Sequence, residues 1–249
     1  MTISADLFGP IRSLTREFWN GDCLELMRGI PTGSVDMILC DLPYGTTQNK
    51  WDTVIPFEPL WREYWRVAKR NAAIVLTAAQ PFTSALVMSQ IDAFKYDWTW
   101  RKNQATNVFN AKKQPLRDKE DVLIFAHGTP LYNPQNLVHK PQPSRNSKTN
   151  SENWGTGKNG AYVQEFTNYP KQVLEFESVQ RSIHPTQKPV ALFEYLIRTY
   201  TSPGDTVLDN CAGSGTTAIA AINSDRGYIC IEKDAEYYRR ASERIASHA

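Results

Sequence analysis

Two stretches of this 249-residue chain carry residue types that chemistry needs. In the first, Asp41-Leu42-Pro43-Tyr44-Gly45, an acid, a proline and an aromatic ring stand immediately after the apolar run Val35–Cys40. Pro and Gly read most simply there as a turn at a strand end, and a functional reading needs support from elsewhere in the chain. The second, VLDNCAGSGTTAIAAI over 207–222, gives that support. An apolar strand ends at Asp209, a loop holds Gly213 and Gly215, and a helix begins around Ser214 to Thr216. Glycines let a backbone approach a ligand closely, and a helix N-terminus offers free N–H groups. About twenty residues on, another apolar run ends in Glu232, the spacing at which a doubly wound fold sets a carboxylate against ribose hydroxyls. No G-K-[ST] follows the glycines and G-x-G-x-x-G is incomplete, so a phosphate-binding P-loop is excluded and a nicotinamide cofactor is a second choice.

Together with HPTQKP at 184–189, these motifs closely resemble the amino-methylating DNA methyltransferases that use S-adenosylmethionine. The catalytic motif precedes the glycine motif, the permuted order of the β class, and the resemblance covers residues 17–128 and 183–245. It implies a class I methyltransferase fold and transfer of a methyl group to adenine N6 in DNA. The base would be flipped out of the duplex, at a cost of a few kcal/mol. By similarity, Asp41 and the backbone carbonyl of Leu42 accept the amine hydrogens, Pro43 keeps Leu42 extended, and Tyr44 stacks on the base. The usual tetrapeptide is Asp-Pro-Pro-Tyr, and Leu42 replaces its second residue with some loss of stiffness. Ser at the first position would point to cytosine N4. Asp41 favours adenine, with cytosine-N4 transfer and a catalytically silent nucleic-acid-binding subunit as alternatives.

The same resemblance distributes the cofactor contacts. Asp209, Ala212, Gly213, Ser214, Gly215 and Thr216 would surround the methionine portion, with Asn210 and Cys211 standing where Pro and Phe are common. Glu232 would hold the ribose hydroxyls, Asp22 with its neighbour Cys23 the cofactor adenine, and His184, Thr186 and Lys188 the methionine carboxylate. Asp41 borders the same site. For any one of these positions alone, a helix cap or a surface ion pair is the simpler reading.

Net charge is only +2, but 101–150 holds nine Lys or Arg against three acids. Such a stretch is most often a solvated surface and gains meaning beside a catalytic cleft. In the implied fold Lys112, Lys113, Arg117, Lys140, Arg145 and Lys148 become candidates for phosphate contacts with DNA, expected to be double-stranded. A short recognition sequence, a homodimer or weak specificity is expected, and a cognate restriction endonuclease is a further partner to consider.

The elements that position these residues follow from hydrophobic patterning. Apolar or β-branched runs at 34–40, 72–77, 121–126, 205–210 and 227–232 have the length of buried strands. Helical spacing appears at Phe57, Trp61, Tyr64, Trp65 and Ala68, and again at Tyr238, Ala241 and Ile245 after an Asp234 cap. Alternating strands and helices predict an α/β protein with a doubly wound, mainly parallel sheet. Residues 1–128 and 183–249 would form the catalytic and cofactor-binding domain. The Pro-, Asn-, Ser- and Gly-rich segment 129–182 would be a target recognition insert. Nothing approaches the roughly 18 apolar residues of a membrane span, and the N-terminus lacks the layout of a secretory signal, so a cytoplasmic bacterial or phage-encoded protein is expected. Cys23, Cys40, Cys211 and Cys230 form no C-x-x-C pair and the four histidines have no ligand spacing, so no metal site is expected.

Overall fold

A computed structural model describes residues 14–46, 52–146, 162–179 and 186–248. In chain order the first elements are β1 (Arg16–Asn20), α1 (Cys23–Leu26), β2 (Val35–Asp41), α2 (Phe57–Val67), β3 (Ala68–Ala78), α3 (Phe82–Ser89), β4 (Phe94–Thr106) and β5 (Arg117–Phe125). After them come β6 (Val138–Asn146), β7 (Tyr162–Thr167), β8 (Val173–Glu175), α4 (Val190–Tyr200), β9 (Thr206–Asp209), α5 (Thr216–Asn223), β10 (Gly227–Glu232) and α6 (Ala235–Ala246).

All five apolar runs are strands of one sheet, ordered β1-β10-β9-β2-β3-β5-β4-β8. Only β5 runs against the others, pairing antiparallel with both β3 and β4. The apolar runs are continuous rather than alternating because both faces of the sheet are covered. Met37, Leu39, Val75, Val122 and Ile124 pack with α4 and α5 on one face. Ile38, Cys40, Ile74, Leu76, Leu123 and Phe125 pack with α2 and α3 on the other. Leu60, Trp61, Tyr64 and Val67 are the buried stripe of α2. At the N-terminus of α6, Asp234 accepts from the amides of Glu236 and Tyr237 at 2.9 and 3.0 Å, as the sequence predicts.

Strands β2 and β9 are parallel neighbours at the centre of the sheet. The chain leaves β9 toward β10 on one side and leaves β2 toward β3 on the other. That reversal opens a crevice at the carboxyl ends of the two strands, the usual ligand position in such a sheet. Those ends are Asp41 and Asp209.

The chain divides into two units, one of Met1–Asn133 with Gln172–Ala249 and one of Pro134–Lys171. The second is narrower than the expected insert, since Val173–Glu175 joins the main sheet beside β4. Within it β6 and β7 form an antiparallel pair, with the His139 and Phe166 rings edge to face at 5.4 Å. Among the described residues no helix is long and apolar enough to cross a membrane.

Candidate active site

Asp41 ends β2 with its carboxylate fully engaged. One oxygen, Oδ1, accepts from the Tyr44 hydroxyl at 2.8 Å and from the Thr77 hydroxyl. The other, Oδ2, lies 2.6 Å from the Lys188 ammonium. Thr77 reaches it because β2 and β3 are in register, Asp41 opposite Thr77. The Tyr44 ring stacks on Phe82 with centroids 5.2 Å apart, and Lys188 Nζ is 5.8 Å from its own centroid. Just beyond, the amides of Gly45 and Thr46 donate to the two carboxylate oxygens of Asp52 at 2.8 and 2.9 Å, which pins the exit of the turn.

Lys188 is buried and shared. Its ammonium is also 3.2 Å from Glu120 Oε2 on β5, and Glu120 in turn pairs with Lys102 on β4. Burial opposes the charge on Lys188, but the carboxylates of Asp41 and Glu120 outweigh it and hold its pKa above the ordinary lysine value. Burial likewise opposes the charge on Glu120, and the two ammonium groups outweigh it, so its pKa is lowered. Tyr44 is pushed well up, first by burial and then by Asp41, and stays a neutral hydroxyl donor.

The glycine loop follows β9. Gly213 and Gly215 have φ of +50° and +72°, a left-handed backbone that side chains rarely adopt. Gly215 is the N-cap of α5, which has no side-chain cap, so the first amides of that helix stay available as donors. Asp209 is buried below the loop, accepting from the Cys211 amide at 3.0 Å and from the Thr217 hydroxyl. Burial lifts its pKa to about 6 despite those bonds. Asn210 Oδ1 accepts from the Tyr64 hydroxyl at 2.5 Å, so the Asn at this position is tied to α2. Beneath the loop Cys211 packs in one cluster with Cys23 and Cys40, and burial pushes Cys40 up to about 12.

Glu232 ends β10 with Oε2 accepting from the Gly213 amide at 2.8 Å and Oε1 from the Asp234 amide at 2.7 Å. Burial raises its pKa. Asn20 of β1 lies opposite Glu232, so the turn after β1 brings Asp22 to the same end of the sheet. Asp22 caps α1 through the Leu24 amide at 3.0 Å and pairs with Lys233 at 3.0 Å, a bond that lowers its pKa. The start of α5 is joined to the 186–189 segment, Thr216 Oγ1 donating to the Lys188 carbonyl at 3.3 Å.

This arrangement, a carboxylate turn after one central strand and a glycine loop after its neighbour, agrees with the comparisons to known proteins. Residues 35–243 match the model of the DNA methylase family of N6 and N4 methyltransferases. The chain belongs to that family. It is 28% identical over 259 residues to the DNA adenine methyltransferase YhdJ of Escherichia coli K12, covering 92% of this chain and 83% of that protein. Among solved structures it is similar to the M1.HpyAVI–SAM complex, with a TM-score of 0.63 at 24% identity over 92% of this chain and 100% of that one. It also resembles the cytosine-N4-specific PvuII DNA methyltransferase, with a TM-score of 0.65 at 16% identity over 94% and 92% of the two chains.

The Lys188 ammonium, expected opposite the cofactor carboxylate, is held within the protein by Asp41 and Glu120. Tyr44, expected to stack on a base, has its ring against Phe82 and its hydroxyl on Asp41. The Cys23 side chain is buried beside Cys211. Ser214 and Thr216 are also buried, their hydroxyls 3.0 Å apart, while Thr186 is exposed. Lys112, Lys113 and Arg117 are exposed on and beside the connection between β4 and β5. Lys140 belongs to the smaller unit and donates to Ser144 at 2.8 Å. His184, Lys148 and the Arg145 side chain lie outside the described residues.

Thr77, Lys102, Glu120 and Asp52 were missed by sequence reasoning. Thr77 closes the run at 72–77, and its place beside β2 is the one signal that could have singled it out. Glu120 and Lys102 were legible only as charges within a basic stretch.

Proposed function

We propose that this family member is a DNA adenine-N6 methyltransferase that uses S-adenosylmethionine. The observation that carries this reading is the Asp41 carboxylate, gripped by Tyr44, Thr77 and Lys188 at the end of β2 and next to the glycine loop of β9. The donor and acceptor set suits the cofactor. Glu232 and Asp22 offer carboxylate lone pairs for hydroxyl and amine groups, and the uncapped start of α5 offers amides for a carboxylate. When bound, S-adenosylmethionine supplies a methyl group made electrophilic by its sulfonium.

The chain's own contribution is to orient a weak nucleophile. The lone pair of an adenine amine is delocalised into the ring, and the nitrogen must become tetrahedral to react. Acceptors that hold its hydrogens favour that change, and Asp41 with the Leu42 carbonyl would be those acceptors. Tyr44 and Thr77 fix the Asp41 rotamer in advance, so little reorganisation is left for the reacting complex. The Asp in the first motif position supports adenine over cytosine, as does the likeness to a relative named as an adenine methyltransferase.

Incubation with unmethylated genomic DNA and S-adenosylmethionine, digestion to nucleosides and mass spectrometry test this directly. N6-methyladenine from the wild type and none from Asp41→Ala is the expected result. N4-methylcytosine would overturn the base assignment, and no methylated nucleoside would overturn the activity.

A further inference from the structure

The hairpin of β4 and β5 does more than close the sheet. At its base Lys102 and Glu120 join the Lys188–Asp41 cluster. Its outer half, from Arg101 to Thr106 and back from Arg117, extends with mostly exposed side chains. β4 bulges between Arg101 and Thr106, and Thr106 pairs with Arg117, three strand residues along β5 from Glu120, so the turn at the tip begins roughly 10 Å from the cluster.

That tip is built, not slack. Asn107 takes a left-handed backbone, a one-turn 3-10 helix spans Val108–Asn110, and the amides of Asn110, Lys113 and Gln114 donate to carbonyls within the turn at 3.0, 2.8 and 3.0 Å. It holds Phe109 almost wholly in water, at 99% exposure, with Val108 and Leu116 also exposed. A lone exposed apolar residue means little. Here Lys112, Lys113 and Arg117 follow the ring within eight residues of chain, all exposed and none in an ion pair with another described residue. An aromatic ring with unpaired cations in the same turn, on a hairpin whose base joins the Asp41 cluster, complements stacked bases flanked by phosphates. A neutral protein surface would leave the cations unmatched.

We propose that the hairpin tip docks on duplex DNA, with Phe109 inserting into the base stack next to the target nucleotide and Lys112 and Lys113 contacting the flanking phosphates. This rests on the methyl-transfer reading above. The inserted ring replaces stacking lost when the target base leaves the helix, and so offsets part of the few kcal/mol that extrusion costs.

The test uses the full chain. Wild type first methylates unmethylated plasmid DNA, the modified sequence is mapped, and duplex oligonucleotides of that sequence are made with a paired or a mismatched target base. Phe109→Ala should lower kcat/KM at least about tenfold on the paired duplex and much less on the mismatched one, with cofactor affinity unchanged and Phe109→Trp near wild type. A 2-aminopurine at the target position should brighten less with Phe109→Ala. Lys112→Gln with Lys113→Gln should flatten the salt dependence on both duplexes. Equal kcat/KM for Phe109→Ala and wild type, or an equal loss on both duplexes, overturns insertion while leaving the activity intact. A wild type that methylates no DNA overturns the underlying reading instead.

Discussion

Lys188 Nζ rests 2.6 Å from Asp41 Oδ2, so the ammonium covers the carboxylate edge to which a substrate amine would donate. Burial opposes its charge, but the carboxylates of Asp41 and Glu120 outweigh that and set its pKa above the ordinary value, so Lys188 stays charged across the neutral range, and an incoming amine must share Oδ2 with it or displace it toward Glu120. Lys188→Met removes the cation that Asp41 and Glu120 share. kcat at neutral pH should then fall on the order of tenfold to a hundredfold. Single-turnover rates decide it. A wild-type rate in the variant would separate Lys188 from the chemistry.

Glu120 is a charge counterweight between Lys188 and Lys102. Its replacement by Gln leaves two largely buried ammonium groups with one carboxylate fewer, and removing one partner of a buried pair costs on the order of 3 kcal/mol. Removing Lys102 as well restores the balance. Lys102→Met with Glu120→Gln should therefore be more stable than Glu120→Gln alone, and a double-mutant cycle by urea denaturation measures the coupling. Additive single effects would contradict the network.

Asp209 makes stability depend on pH. Its folded pKa of about 6 lies above the ordinary 3.8, so between those values the folded state binds more protons than the unfolded chain. Stability from this group is therefore greatest at low pH and declines as pH rises through 6, by about 2 kcal/mol between pH 4.5 and 7. Asp209→Asn keeps the shape without the titration. The difference in unfolding free energy between wild type and variant should shift by that amount in favour of the variant as pH rises. A constant difference would mean that Asp209 does not titrate in this window.

How much of this was legible follows from where the information sits in the chain. The strands carrying Asp41, Asp209 and Glu232 were readable because a sheet covered on both faces needs uninterrupted apolar runs. β1 was missed because it is an edge strand with exposed positions, and β4 because its outer half is polar and reads as a connection. The Asp41 turn and the glycine loop are contiguous motifs, so their residues could be named. Their partners could not: Thr77 meets Asp41 only through strand register, and Glu120 only because an antiparallel hairpin brings it beside Lys188. The spacing of the motif lysine likewise says nothing of the two acids that face it, Asp41 and Glu120.

Gly215 links the cofactor loop to the last helix and gives the most local prediction. A Cβ there would lie 2.9 Å from Ile245 Cδ1 and 3.2 Å from its Cγ1, on a backbone at φ +72° that favours glycine. Gly215→Ala should cost about 1–3 kcal/mol from backbone strain and overpacking together. Ile245→Val removes Cδ1 and relieves the closest contact but not the strained φ, so Gly215→Ala with Ile245→Val should recover only part of the loss. The displaced loop should also weaken S-adenosylmethionine binding in the single variant, since the α5 amides move with it. Thermal unfolding and titration calorimetry on the three variants check both effects. Full recovery in the double variant would assign the whole cost to the side-chain clash, and wild-type stability in Gly215→Ala would remove the left-handed cap from the account.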